Sequence, residues 1–168
     1  ETREAISQYF KRKYDFFYSE EEIIVTNGAS EALDTSLRSI IEPGDDILIP
    51  GPIYAGYIPL VETLGGKPIY IDTTHSDFKV TPELIEAYFT DQTKAILLNY
   101  PTNPTGVILE RSEVEALVHY LKTKEIFIIS DEIYAENTFT GTHTSFAEYE
   151  EIRDQLLLIG GLSKSHSA

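Results

Sequence analysis

The sequence contains no cysteine, which excludes a disulfide framework, a thiolate metal site and a cysteine nucleophile. Histidine is scarce. Only His75, His119, His143 and His166 occur, and no two stand at metal-ligand spacing, so no metal site is expected. Positive charge is thin as well, with 13 Lys and Arg against 28 Asp and Glu and a formal net charge of -15. A nucleic acid or an anionic membrane surface needs a basic face, so neither is an expected partner. A small anion held by backbone N–H groups is left open. No apolar run approaches the length of a membrane span, and no stretch reads as a signal peptide. The chain opens on Glu1, not methionine, and closes on Ala168 just after an apolar strand-like run. A piece of a longer protein is expected.

What remains is ordinary globular composition: 168 residues, 42% hydrophobic and 24% charged, enough for one domain with a sizeable core. Short β-rich runs alternate with amphipathic stretches. Helical spacing is present over residues 2–14, from just after Ser30 through Ile41, around Tyr54–Leu64, from Pro82 with Thr81 as its cap, and over Arg111–Lys124. Strands are expected at Glu22–Thr26, Ile47–Pro50, Pro68–Asp72, Lys94–Asn99, Phe127–Ser130 and Leu156–Leu162. Most are continuous apolar runs, the signature of strands covered on both faces. The expected fold class is α/β, three layers with a mostly parallel sheet, and such sheets bind ligands at the carboxyl ends of their strands.

The chemistry stands at those ends. Gly28-Ala29-Ser30 leads into a helix whose N-terminus suits a phosphate, or Ser30 simply caps that helix. It is neither a P-loop nor a dinucleotide fingerprint. Pro52-Ile53-Tyr54 offers a rigid aromatic for a flat ligand. Asn103-Pro104-Thr105-Gly106 makes a turn that would aim the Asn103 amide inward, or face solvent. Asp131, closing a buried strand, needs a partner such as a protonated ring nitrogen, or caps a helix; Tyr134 lies one turn on. Lys164, after an apolar run, is placed for desolvation and Schiff-base chemistry, or is a surface lysine. His166 reads as a packing residue behind Lys164, and His75, His119 and His143 as solvated or capping residues. Together these groups fit pyridoxal 5′-phosphate.

Four segments sharpen this reading: Thr26-Asn-Gly-Ala-Ser-Glu-Ala-Leu33, Asn99-Tyr-Pro-Thr-Asn-Pro-Thr-Gly106, Ser130-Asp-Glu-Ile-Tyr134 and Leu162-Ser-Lys-Ser165. In order and spacing they resemble the motif set of the class I/II aminotransferases, the fold-type I pyridoxal-phosphate enzymes. The closing Ser163-Lys-Ser-His-Ser-Ala168 also resembles aminotransferase A-type sequences. The resemblance spans residues 1–168 and implies the large cofactor-binding domain. The N-terminal arm, the small domain and its carboxylate-gripping arginine would lie outside, so this stretch alone is expected to have little turnover. It implies that Ala29, Ser30 and Ser163 bind the phosphate, that Tyr54 stacks on the ring, and that Asn103 and Tyr134 bond its phenolic oxygen. Asp131 would pair with the ring nitrogen and Lys164 would bind the cofactor covalently, with Lys164, Asp131 and Tyr134 carrying catalysis. The implied activity is transamination between an amino acid and a 2-keto acid by a cytoplasmic homodimer. A β-lyase or carbon–carbon bond-forming reaction on the same scaffold, or a non-catalytic sensor domain of a regulator, is the alternative.

Overall fold

Five of the apolar runs become strands, because buried backbone must place its N–H and C=O groups in a ladder. The computed structural model describes residues 1–167; Ala168, the last residue of the closing stretch, lies outside them. Strands β1 (Asp46–Gly51), β2 (Lys67–Asp72), β3 (Thr93–Asn99), β4 (Phe127–Asp131) and β5 (Leu156–Ile159) form one sheet in the order β2-β1-β3-β4-β5. Every pairing is parallel. The α/β class is therefore observed as expected.

Side-chain alternation divides the sheet into two faces. Ile47, Ile49, Ala95, Leu97 and Ile129 pack with Leu33 and Leu37 of α2 (Gly28–Ile40) and Val61 of α3 (Tyr57–Thr63). Leu48, Ile96, Leu98 and Ile128 pack on the other face with Ile85 of α4 (Pro82–Tyr88) and Val114 and Leu117 of α5 (Arg111–Leu121). Helix α4 starts as its sequence dictates, with Thr81 Oγ1 accepting the Leu84 N–H at 3.3 Å. Helix α1 (Thr2–Tyr14) is fastened by its side chains: Tyr9, Lys13 and Tyr14 all bond the Glu136 carboxylate. Among the described residues, no helix is long and apolar enough to cross a membrane.

One expected strand is absent. Glu22 ends a short 3-10 turn, Glu20–Glu22, and residues 23–26 follow without joining the sheet. Ile24 is 78% exposed. β-Branched composition favours extended backbone, but a strand also needs a hydrogen-bonding neighbour, and none of the described strands runs beside this segment. The last strand is also shorter than expected, ending at Ile159 before Gly160 and Gly161.

The connections locate the crevice. From β1 the chain crosses through α3 to β2 on one side, then returns through α4 to β3 on the other side of β1. The loops leaving β1 and β3 therefore diverge, and such a switch point opens a cleft at the carboxyl ends of the strands. Helix α2 points its start toward the same end. Its last residue, Ile40, closely precedes the amino end of β1, and its 13 residues run back about 20 Å from there.

Candidate active site

Asp131 is the last residue of β4 and is 4% exposed. One carboxylate oxygen accepts the Tyr57 hydroxyl at 2.5 Å, and the other accepts the Ile133 N–H at 3.1 Å. Burial raises the pKa of this carboxyl above the ordinary value; the two donors oppose that shift, and the neighbouring Glu132 adds to it. Burial likewise raises the Tyr57 phenol, with the Asp131 charge adding to the effect. That phenol stays protonated and donating. Among the described residues, no cationic side chain pairs with Asp131.

Both switch-point loops connect to Asp131, one through Tyr57 and the other through Asn99. Tyr54, 49% exposed, follows β1 and meets Tyr57 edge to face, with ring centroids 5.5 Å apart. After β3, Asn99 donates its Nδ2 to the Asp131 carbonyl at 2.9 Å and accepts the Asn103 N–H at 3.0 Å. Asn103 is thus held through its backbone, half-buried, beside the strand that carries Asp131. Tyr57 and Asn99 are the contacts that sequence reading missed. Tyr57 sits one helical turn past Tyr54 and Asn99 is the final residue of a buried strand, but neither position by itself announces a partner on β4.

On the β5 side, Lys164 Nζ lies 5.9 Å from the centre of the Tyr134 ring. Lys164 itself is exposed, as are Ser163 and His166. The expected desolvation of Lys164 is not supplied by the described residues, because β5 ends early and the amine sits in a turn beyond it. His166 does not pack behind the site either; its Nδ1 bonds the Ser165 hydroxyl at 2.6 Å on the surface. Asn137 Nδ2 makes a long 3.5 Å contact with the Lys164 carbonyl. Asn137 Oδ1 and Thr138 Oγ1 in the same turn are buried without a partner.

Ala29 and Ser30 occupy the first turn of α2, which packs across β4 and β5. Gly28 enters that turn at φ 81°, a conformation that glycine adopts without Cβ strain. The N-cap is Asn27, not Ser30, so the capping alternative for Ser30 falls away. Ser30 is exposed on the first turn, where N–H groups have no intrahelical acceptor. His75 and His119 are exposed, as expected. His143 is not: its ring is 9% exposed and bonded to Glu132 at 2.7 Å. A turn-rich local sequence gave no sign of that burial, because the partner lies on β4's far end.

Residues 1–168 match the family model described as aminotransferase class I and II. The chain is 49% identical over 168 residues to the protein named "Probable N-acetyl-LL-diaminopimelate aminotransferase" of Bacillus subtilis (strain 168), covering 99% of this chain and 42% of the relative. It is 38% identical to an aspartate aminotransferase of the same organism, covering 99% of this chain and 43% of that protein. The crystal structure of aspartate aminotransferase from Thermotoga maritima superposes with a TM-score of 0.92 at 36% identity, over 98% of this chain and 44% of that one. An aromatic aminotransferase from Pyrococcus horikoshii gives 0.91 at 30% identity, over 96% and 44% respectively. The chain spans less than half the length of these relatives.

Proposed function

The chain belongs to the class I and II aminotransferases, and from that premise we propose that it is the pyridoxal-phosphate-binding domain of a transaminase. The parent protein moves an amino group between an amino acid and a 2-keto acid. The observation that carries this reading is Asp131: a buried carboxylate at the carboxyl end of the sheet, held by two neutral donors and, among the described residues, by no cation. A buried anion of this kind is stabilised by an incoming cation, and a protonated pyridine nitrogen is such a cation. The rest of the donor set also fits: an aromatic face at Tyr54, an amine at Lys164, a phenol at Tyr134 and free N–H groups at the start of α2.

When bound, pyridoxal phosphate supplies an aldehyde that condenses with amines and a ring that accepts electron density from the substrate α-carbon. The chain's residues then divide the work. Ala29, Ser30 and Ser163 hold the phosphate, and Tyr54 covers the ring. Asn103 and Tyr134 bond its phenolic oxygen. Asp131 keeps the ring nitrogen protonated, because an adjacent carboxylate favours the cation. Lys164 would hold the group through Nζ, and as a free amine Nζ would carry away the proton that leaves the substrate α-carbon. The groups that grip the substrate carboxylate would come from the rest of the protein. The same reading makes the full-length protein a cytoplasmic homodimer.

Transamination is favoured over a β-lyase or a sensor role because the relatives at 38–49% identity named above are aminotransferases. The test uses the full-length protein. Wild type with pyridoxal phosphate should show the visible band of a covalently held cofactor, and Lys164→Ala should not. A band that persists unchanged in the variant refutes the lysine assignment. A donor panel including aspartate and N-acetyl-LL-diaminopimelate then reads the substrate.

A further inference from the structure

The carboxylate that ends β4, Asp131, and the one that follows it, Glu132, point in opposite directions. Asp131 faces the α2 and α3 side, while Ser130 and Glu132, one residue to either side, face the α5 side. Glu132 is 7% exposed, and among the described residues its carboxylate hydrogen-bonds Ser130, His143 and Phe146 rather than the residues proposed to hold the cofactor. Its Oε1 accepts the Ser130 hydroxyl at 2.9 Å and the Phe146 N–H at 3.1 Å. Its Oε2 meets His143 Nε2 at 2.7 Å. Tyr14 packs edge-on against the His143 ring, with centroids 6.2 Å apart.

These bonds fall where the ladder runs out. The pairing of β4 with β3 and β5 ends at Asp131. One further backbone bond, Glu132 N–H to the Ile159 carbonyl at 2.8 Å, holds the next residue before the chain turns. The turn carries Tyr134 and Asn137, and the chain then returns to Glu132 through His143 and Phe146. Both ends of this loop are thereby clamped on one carboxylate. We infer that the Glu132–His143 pair is a positioning device that fixes the end of β4, and so holds Asp131 against Tyr57 and Tyr134 beside Lys164. Neither residue is catalytic; they act through the backbone that carries Asp131 and Tyr134. The clamp stands on the geometry alone, whereas its effect on a bound ring rests on the function proposed above.

The test has one arm without cofactor and one with it, both on the full-length protein. In the cofactor-free protein, the Asp131 carboxyl is titrated by carbon-13 NMR in wild type, His143→Ala and His143→Gln. Removing the imidazole leaves a buried carboxylate short of a partner, which should disturb the end of β4. The Asp131 midpoint should move in His143→Ala and return to the wild-type value in His143→Gln, which restores a donor. With pyridoxal phosphate, His143→Ala should bind roughly tenfold more weakly and shift the pH midpoint of the visible band, with His143→Gln again rescuing both. If His143→Ala does not fold, Ser130→Ala removes a single clamp bond and should shift both midpoints in the same direction by less. A residue serving fold stability alone would lower the urea midpoint and leave both titrations unchanged. That result overturns the inference. A wild type that forms no visible band sinks the cofactor reading instead, and the Asp131 titration still decides the clamp.

Discussion

Replacing Tyr57 with phenylalanine isolates the bond that holds the central carboxylate. Tyr57 is 4% exposed and its ring packs among the α2 and α3 core residues, so Tyr57→Phe preserves volume and apolar burial. Only the hydroxyl is lost, and with it the 2.5 Å donor to Asp131. A hydrogen bond to a charged group contributes about 1.5–3 kcal/mol, against roughly 0.5–1.5 for a neutral pair. At neutral pH the substitution should therefore cost about 2 kcal/mol in the cofactor-free protein. In an Asp131→Asn background the acceptor is neutral, and the same change should cost about 1 kcal/mol. Acidity supplies a second signature. Burial raises the Asp131 pKa and the Tyr57 bond lowers it, so that bond favours the ionised form. Its contribution is present above the folded-state pKa and shrinks as pH falls through it. The Asp131 carboxylate itself behaves oppositely: with its folded pKa raised, its desolvation destabilises the fold as pH rises above the unfolded value. Asp131→Asn alone should therefore stabilise the cofactor-free protein at neutral pH. Urea unfolding of the four variants across pH measures all of this. Equal costs for Tyr57→Phe in both backgrounds at neutral pH would refute the coupling.

Two further outcomes are expected. Gly28→Ala should destabilise the protein by about 1 kcal/mol, measured by urea unfolding; nothing lies within 4 Å of the added Cβ, so the φ of 81° is the sole cause. The Glu22 carboxyl, held by the Ser19 backbone N–H and then by Arg153, is pushed down to about 2 from 4.5. Its contribution is present above 4.5 and lost as pH falls toward 2, and carbon-13 NMR of Glu22 should place the midpoint there.

Legibility in the sequence followed the range of the interactions. Helices α2, α4 and α5 were readable because their stripes, Pro82 and Thr81 are local signals. The parallel sheet was readable because Ala95 through Leu98 are apolar without alternation, which only two-sided burial explains. The strand expected at Glu22–Thr26 failed because pairing is a property of two segments, and residues 23–26 carry information about one. Strand ends pointed to Asp131, Tyr54, Asn103 and Lys164, since each directly follows an apolar run. Tyr57 and Asn99 escaped because each reads as part of its own helix or strand until the neighbour it bonds is known. The burial of His143 escaped for the same reason: its partner is 11 residues away, across a turn.

Glu136 draws together three side chains of the opening helix, and its bond to Tyr9 links positions 127 apart in the chain. Burial pushes the Glu136 carboxyl up, but Lys13, Tyr9 and Tyr14 outweigh that and keep it below its ordinary value. Helix α1 is thereby bolted two residues beyond Tyr134. Exchanges at Tyr9, Lys13 or Tyr14 would therefore reach the turn that carries Tyr134 without altering any residue of that turn.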